Sequence, residues 1–226
     1  MSTPMRHLLS SQAEDYLKAI YLLGKEGKVT TQKLSGSLQV TPASVSGMLK
    51  KLADLHLVEH KPYYGAVLTE NGQRIALEIL RHHRLLELYL TQALGYSWDT
   101  VHEEADRLEH VISEEFEAKI AQFLGNPQYD PHGHPIPSPD GTLPETRDQP
   151  LPDFPQGSHV RLTRVSKETP EFLRYLESLR LLPGSAVWVG ARQLLGEVIE
   201  IQEGSHTHVL SLAVANHLWG LSNEHA

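Results

Sequence analysis

The chain has 226 residues, 14 histidines, no cysteine and a formal net charge of −8. That length allows two domains with a sizeable core, and the lack of cysteine excludes disulfides and thiolate metal sites, in keeping with a reducing compartment. No stretch approaches the length of a signal peptide's apolar run or a membrane span, so a soluble cytoplasmic protein with no membrane partner is expected.

The acidic balance argues against nucleic acid, but its distribution reverses that. Residues 1–74 hold nine Lys and Arg against six Asp and Glu, a net of +3, whereas the remainder holds eleven against twenty-two, a net of −11. The positive excess coincides with the best DNA-binding pattern in the chain, and the acidic remainder is where cations would go.

In chain order, Ser10 or Ser11 caps a helix from about Gln12 to Leu23, with Ala13, Leu17, Ile20 and Tyr21 at helical spacing and Asp15 pointing away from that seam. Gly24 and Gly27 end it, and a short helix follows from Thr30 or Thr31 to Leu38. After a tight turn, Thr41-Pro42 starts a helix reaching about Leu55, because a hydroxyl suits the cap and proline the first helical position. Val45, Met48, Leu49 and Leu52 face inward, and Ala43, Ser44, Ser46, Gly47, Lys50 and Lys51 face outward with Thr41 at the start. Small hydroxylated residues let such a helix approach base edges, while lysines reach phosphates. Two short strands, Leu57–His60 and Ala66–Leu68, make the unit a winged helix-turn-helix. Lys61, Tyr63 and Tyr64 at the wing tip are expected along the sugar-phosphate backbone of double-stranded DNA.

Thr69 caps a long helix over residues 70–94, a second runs from about Asp99 to Ile112, and Ser113 starts a third that closes at Gly125-Asn126-Pro127. Three amphipathic helices offer more apolar surface than one small unit covers, so a homodimer matching a palindromic operator is expected. The second helix carries His102, Asp106, Glu109 and His110 on one face, beside a core stripe of Val101, Ala105, Leu108 and Ile112. The simplest reading is a solvated acidic face. Two observations shift the balance towards a bound divalent cation: a second pair one turn apart, His83 and Glu87, and a further carboxylate, Asp15, on the first helix.

Residues 128–157 are rich in proline and without periodicity, so they read as an extended linker. His132 and His134 lie in it, and the cost of ordering a mobile segment argues against either as a ligand. From Ser158 the texture is β, with strands at His159–Val165, Ala186–Gly190, Glu197–Ile201 and Val209–Val214 and a helix around Glu171–Leu179. The expected architecture is mainly α with a small β domain: a DNA-binding unit over 1–74, helical metal-binding and dimerisation over 75–127, the linker over 128–157 and a small β-barrel over 158–226.

This order of elements resembles the metal-dependent repressors of the diphtheria toxin repressor family. The resemblance rests on AEDYLKAIYLL (13–23), VTPASVSGMLKKL (40–52), LTENGQRIA (68–76), RHHRLLELYL (81–90), VHEEADRLEHVISEE (101–115) and GHPIPSPDG (133–141). The last domain looks like the Src-homology-like barrel of longer members. The resemblance implies a primary metal site at Asp15, Asp106, Glu109 and His110. It implies an ancillary site at His83, Glu87 and His102, with Glu168 and Glu171 donated by the barrel. Iron-type members have methionine and cysteine where this chain has Asp15 and Asp106, whereas manganese-type members have carboxylates there but commonly an acid in place of Lys18. An oxygen-rich set with one imidazole suits Mn(II), or alternatively Fe(II), better than Cu(I) or thiolate-bound zinc. The resemblance further implies repression of metal-uptake genes. An iron-dependent regulator, a winged-helix regulator answering an organic ligand and a metal-dependent hydrolase are the rival readings; the last lacks any H-E-x-x-H or G-x-S-x-G pattern.

Overall fold

A computed structural model of the chain describes residues 9–61, 65–193 and 195–223. Among them are eight α-helices and eight strands, arranged in two compact units. The first unit comprises residues 1–83, 107–119 and 137–143, and the second comprises 84–106, 120–136 and 144–226.

The first unit begins with α1 (Ser11–Lys25), whose N-terminus is capped by the Ser10 side chain accepting from the Ala13 amide. Helix α2 (Thr31–Leu38) is capped by Thr30 and α3 (Pro42–Asp54) by Thr41, each hydroxyl accepting the amide three residues on. Gln39, between α2 and α3, takes a left-handed conformation that makes the tight turn. Strands β1 (Val58–Lys61) and β2 (Gly65–Leu68) pair antiparallel to form the wing. Tyr63 and Tyr64, expected at its tip, lie outside the described residues. The core gathers Ala13, Tyr16, Leu17 and Ile20 of α1 with Leu34, Val45, Leu52, Leu57, Ile75 and Ile79, so α1 is the central post of the DNA-binding unit.

Helix α4 (Glu70–Leu94) starts at Thr69, whose hydroxyl accepts from the Gly72 amide, and it contributes to both units in turn. Helix α5 (Val101–Leu108) is shorter than its periodicity suggests. The chain leaves the helix at Leu108, and the amides of Val111 and Ile112 both turn back to the Leu108 carbonyl. His102 and Asp106 therefore stay on the helix, while Glu109 and His110 sit in the turn beyond it. The continuous four-residue stripe is thus divided. Helix α6 (Glu114–Phe123) follows, with Phe116 and Phe123 exposed.

In the second unit, β3 (Gln149–Pro150), β4 (His159–Val165), β5 (Ala186–Gln193), β6 (Val198–Glu203), β7 (His206–Ser211) and β8 (Leu218–Ser222) form one antiparallel sheet in the order β3-β8-β4-β5-β6-β7. Helix α7 (Pro170–Ser178) and the short α8 (Leu212–Ala215) pack Leu173, Leu176 and Ala215 onto the core with Val160, Val189, Ile201 and Leu218. The strand expected at 209–214 ends at Ser211, whose hydroxyl caps α8 by accepting from the Val214 amide. Strand β8 carries no turn signal before it and went unpredicted.

The proline-rich segment departs most from expectation. Asp130, His132, Ile136, Leu151 and Phe154 are buried, and the Val165 amide of β4 donates to the His132 carbonyl. Residues 128–136 and 144–157 fold into the second unit and 137–143 into the first, so no free tether runs through 128–157. Prolines already hold the backbone extended and lose little entropy on docking, which lets aperiodic sequence pack. No helix among the described residues is long and apolar enough to cross a membrane.

The wing is seated by a close approach of backbones. The Ala66 amide donates to the Val29 carbonyl, and Gly65 has φ +78°, with space for a Cβ only 2.1 Å from that same carbonyl oxygen. Gly65→Ala is expected to lower stability by about 1–3 kcal/mol, read as a shift in denaturant midpoint at constant slope. An unchanged midpoint contradicts this seating.

Candidate metal centre and nucleic-acid interface

In the first unit, α1 and the turn after α5 bring ionisable side chains together. Asp15, Glu109 and His110 each present a ligand atom within 4.8 Å of the others. Nδ1 of His110 lies 2.6 Å from Glu14 Oε2, and its Nε2 lies 2.9 Å from Asp15 Oδ1 and 3.5 Å from Glu109 Oε1. Two consecutive residues of α1 thus grip opposite sides of one imidazole. With Nδ1–H donating to Glu14, Nε2 is the nitrogen turned towards the other two donors, the arrangement in which a carboxylate fixes a ligating histidine. Glu14, buried and adjacent to Asp15, was not singled out from the sequence because one acid beside another carries no pattern.

Glu109 is fully buried, and each of its oxygens has a basic partner. Oε1 is 2.6 Å from Lys18 Nζ, and Oε2 is 2.6 Å from His83 Nδ1. Its backbone carbonyl meets His82 Nδ1 at 3.0 Å, while His82 Nε2 lies 2.9 Å from Glu117 Oε2 and Arg81 Nε donates to Glu117 Oε1. Burial pushes the His110 imidazolium down, but hydrogen bonds to Asp15 and Glu14 and the charge of Glu109 outweigh it and raise the ring to about 9.

A second group forms within the second unit. Glu87 on α4, His132 in the proline-rich segment and Glu168 before α7 offer ligand atoms within 4.8 Å of one another. His102 Nδ1 lies 3.0 Å from Glu87 Oε1 and 3.5 Å from Glu168 Oε2. His132 is fully buried, with its ring stacked on Trp98. Its Nε2 donates to the Trp98 carbonyl at 2.7 Å; Nδ1 makes no hydrogen bond within normal distance among the described residues and stands 3.6 Å from Glu87 Oε2. Burial pushes the ring down, but Glu87, Glu168 and Asp130 outweigh it and raise it to about 9. An imidazole nitrogen beside two carboxylates offers the donor types a divalent cation takes. The loop holding it is fixed on several sides. Asp130 Oδ1 accepts from the amides of His132 and His134, and Arg84 donates to the Pro135 carbonyl. Gly133, at φ +86°, lies so close to β4 that a Cβ would meet the Thr163 carbonyl oxygen at 1.9 Å.

The sequence-derived ligands fall in both units. Asp15, Glu109 and His110 stand together in the first, and in the second the Asp106 carboxylate is 3.5 Å from His102 Nε2. Glu87, His102 and Glu168 stand together in the second unit, and His83 also pairs with Glu109 in the first. Glu171 is outside the group: it is 81% exposed on the first turn of α7 and pairs with Arg174. His132, set aside as part of a mobile linker, is instead buried and hydrogen-bonded. His134 is near it, with Nδ1 3.0 Å from Glu168 Oε1. Burial pushes the Glu168 carboxyl up, but His134 beside it prevails and holds it well below the usual range.

On α3, Thr41, Ala43, Ser44, Ser46, Gly47, Lys50 and Lys51 are all exposed while Val45 and Leu52 are buried, so one face is clear along the helix. Gly47 has open space beside it. Lys61 at the end of β1 is exposed and 3.3 Å from Glu59.

A winged helix whose central post carries part of a carboxylate–imidazole cluster is what a metal-responsive DNA-binding protein requires. Family models agree over nearly the whole chain: the iron dependent repressor N-terminal DNA binding domain over residues 8–66, the iron dependent repressor metal binding and dimerisation domain over 69–138, and the FeoA domain over 149–220. The iron-dependent repressor IdeR of Mycobacterium tuberculosis is 34% identical over 172 residues, covering 72% of this chain and 69% of that protein. The diphtheria toxin repressor of Corynebacterium glutamicum is 29% identical over 213 residues, covering 89% and 92%. A solved manganese-dependent transcriptional repressor in complex with manganese matches with a TM-score of 0.87 at 37% identity, over 93% of this chain and 99% of that one. This chain belongs to the diphtheria toxin repressor family of metal-dependent transcriptional repressors, which bind DNA, dimerise and are not enzymes.

With its ring raised to about 9, His110 could give Nε2 to a cation only by releasing a proton. Divalent-cation binding is expected to weaken as pH falls below about 9 and to give calorimetric heats that differ between buffers of unlike ionisation enthalpy. Heats that do not depend on the buffer contradict the protonated ring.

Proposed function

We propose that this chain is a manganese(II)-responsive cytoplasmic repressor of metal-uptake genes, acting as a homodimer on a palindromic operator. The single observation that carries it is the meeting of Asp15 from α1 with Glu109 and His110 from the turn after α5. Asp15, Glu109 and His110 are the residues that would hold the activating ion, and Glu87, His102, His132 and Glu168 those that would hold a second. Bound there, a divalent cation supplies a compact charge that compensates the crowded carboxylates.

Side chains of α1 turn that local event into a DNA-binding one. Ala13, Leu17 and Ile20 lie in the same core as Val45 and Leu52 of α3. Fixing Asp15 against Glu109 and His110 therefore fixes the post on which the recognition helix rests. A coupling of about 1–3 kcal/mol is enough for a useful switch. On the outer face of α3, Ala43, Ser44, Ser46 and Gly47 approach base edges, while Thr41, Lys50, Lys51 and Lys61 contact phosphates.

Two facts favour Mn(II). The donor set contains carboxylates and imidazole and no sulfur, and hard oxygen donors suit Mn(II). The manganese-bound repressor also resembles this chain over almost its full length. Fe(II) is the competing ion, since the similar curated proteins include iron-dependent repressors.

The test is operator binding by fluorescence anisotropy, using DNA selected in vitro with the Mn(II)-loaded protein. Mn(II) is expected to promote binding and chelator to reverse it. Asp15→Ala and Glu109→Gln should each abolish the metal dependence while leaving the circular dichroism unchanged. Chelator-insensitive binding defeats the proposal, and anaerobic activation by Fe(II) at lower concentration than Mn(II) transfers it to iron. Lys50→Ala is expected to weaken all DNA sequences alike and to reduce the salt slope by about 2 for the dimer, one contact from each subunit; a change of base preference instead places Lys50 in a groove.

A further inference from the structure

The Lys18 side chain reaches from α1 to Glu109 Oε1, one turn beyond Asp15 on the same helix. The contact is 2.6 Å, and the lysine side chain is only 15% exposed against a carboxylate with no exposure at all. A buried carboxylate needs a compensating charge in every state of the protein, because desolvation penalises it severely otherwise. In the metal-free protein Lys18 is a main source of that charge, alongside His83 on the other oxygen. The same oxygen lies 3.5 Å from His110 Nε2, so the ammonium stands on the ligand atom that faces the rest of the group.

We infer that Lys18 is a tethered competitor of the metal: its ammonium holds Glu109 until a divalent cation displaces it, and so sets the metal concentration at which the protein responds. The inference rests on Asp15, Glu109 and His110 holding the ion. Two like charges cannot share one carboxylate oxygen cheaply in a low-dielectric pocket, so ligation by Oε1 and the Lys18 contact oppose each other. The ammonium also carries its own stem: Lys18 is anchored on a helix whose neighbours Leu17 and Ala19 are buried, so its local concentration at Glu109 is permanent. Solvent lysine or a monovalent ion offers no such effect.

The experiment uses the full chain carrying Glu168→Gln, which weakens the second group, and measures Mn(II) affinity from the electron paramagnetic resonance signal of the free ion. Lys18→Met is expected to bind Mn(II) at least about tenfold more tightly than its parent, while its metal-free form melts at a lower temperature. Lys18→Gln, which keeps a hydrogen-bond donor without charge, should show the same gain. Lys18→Arg should stay within about threefold of the parent, since the charge is retained. Unchanged or weaker binding by both uncharged variants, or an equal gain by Lys18→Arg, overturns the inference. Glu109→Gln in the same background separates the two ideas. If it binds Mn(II) like its parent, the metal site itself is misassigned and the inference falls with it. If it loses binding while Lys18→Met and Lys18→Gln gain nothing, the site stands and only the role of Lys18 fails.

Discussion

A carboxylate with no access to water is the constraint around which the first unit is organised. Glu109 has to be answered by positive charge, and the chain does so from α1 and α4 at once, with Lys18 on one oxygen and His83 on the other. Its backbone is held as well, through His82 and on to Glu117 and Arg81. Such a group is costly to leave half-satisfied. The position of α1 relative to the turn after α5 therefore depends on the charge present in the pocket, and α1 is also the post on which the recognition helix is packed. Electrostatics and core packing meet in one helix.

Two of the candidate metal groups, each within one unit, solve different problems. The one at Asp15, Glu109 and His110 lies where the DNA-binding core meets the following helices, and its imidazole is preset by Glu14. The one at Glu87, His132 and Glu168 draws on α4, a loop and the segment preceding α7. Its histidine is preset by a backbone carbonyl, that of Trp98, and the carboxylates are held by His102 and His134. In both cases a hydrogen bond to the far ring nitrogen decides which nitrogen faces the pocket. Ordinary polar contacts orient both rings.

Much of this was legible in the sequence, and for identifiable reasons. Caps at Ser10, Thr30, Thr41 and Thr69 and the periodicity of α1, α3 and α4 are local signals, and the winged helix follows from them. Asp15, Glu109 and His110 were legible as ligand types, and Lys18 was noticeable as a departure from related motifs. What failed was non-local. The termination of α5 at Leu108 has no glycine or proline to announce it, and it divides a stripe that looks continuous on paper. His132 was discounted because its surroundings lack periodicity, yet its place is determined by Trp98, β4 and Arg84's hold on Pro135, none of which is near in sequence. Glu168 and Glu171 look equivalent in the chain. Only the start of α7 at Pro170 makes one face the pocket and leaves the other in solvent.

The seat of Gly133 against β4 has an evolutionary corollary. The strand that receives this glycine runs directly into the segment carrying Glu168, so one stretch of the barrel both immobilises His132 and furnishes an acid beside it. Were a chain to lose that module, it would give up one candidate donor and the support of another in a single deletion.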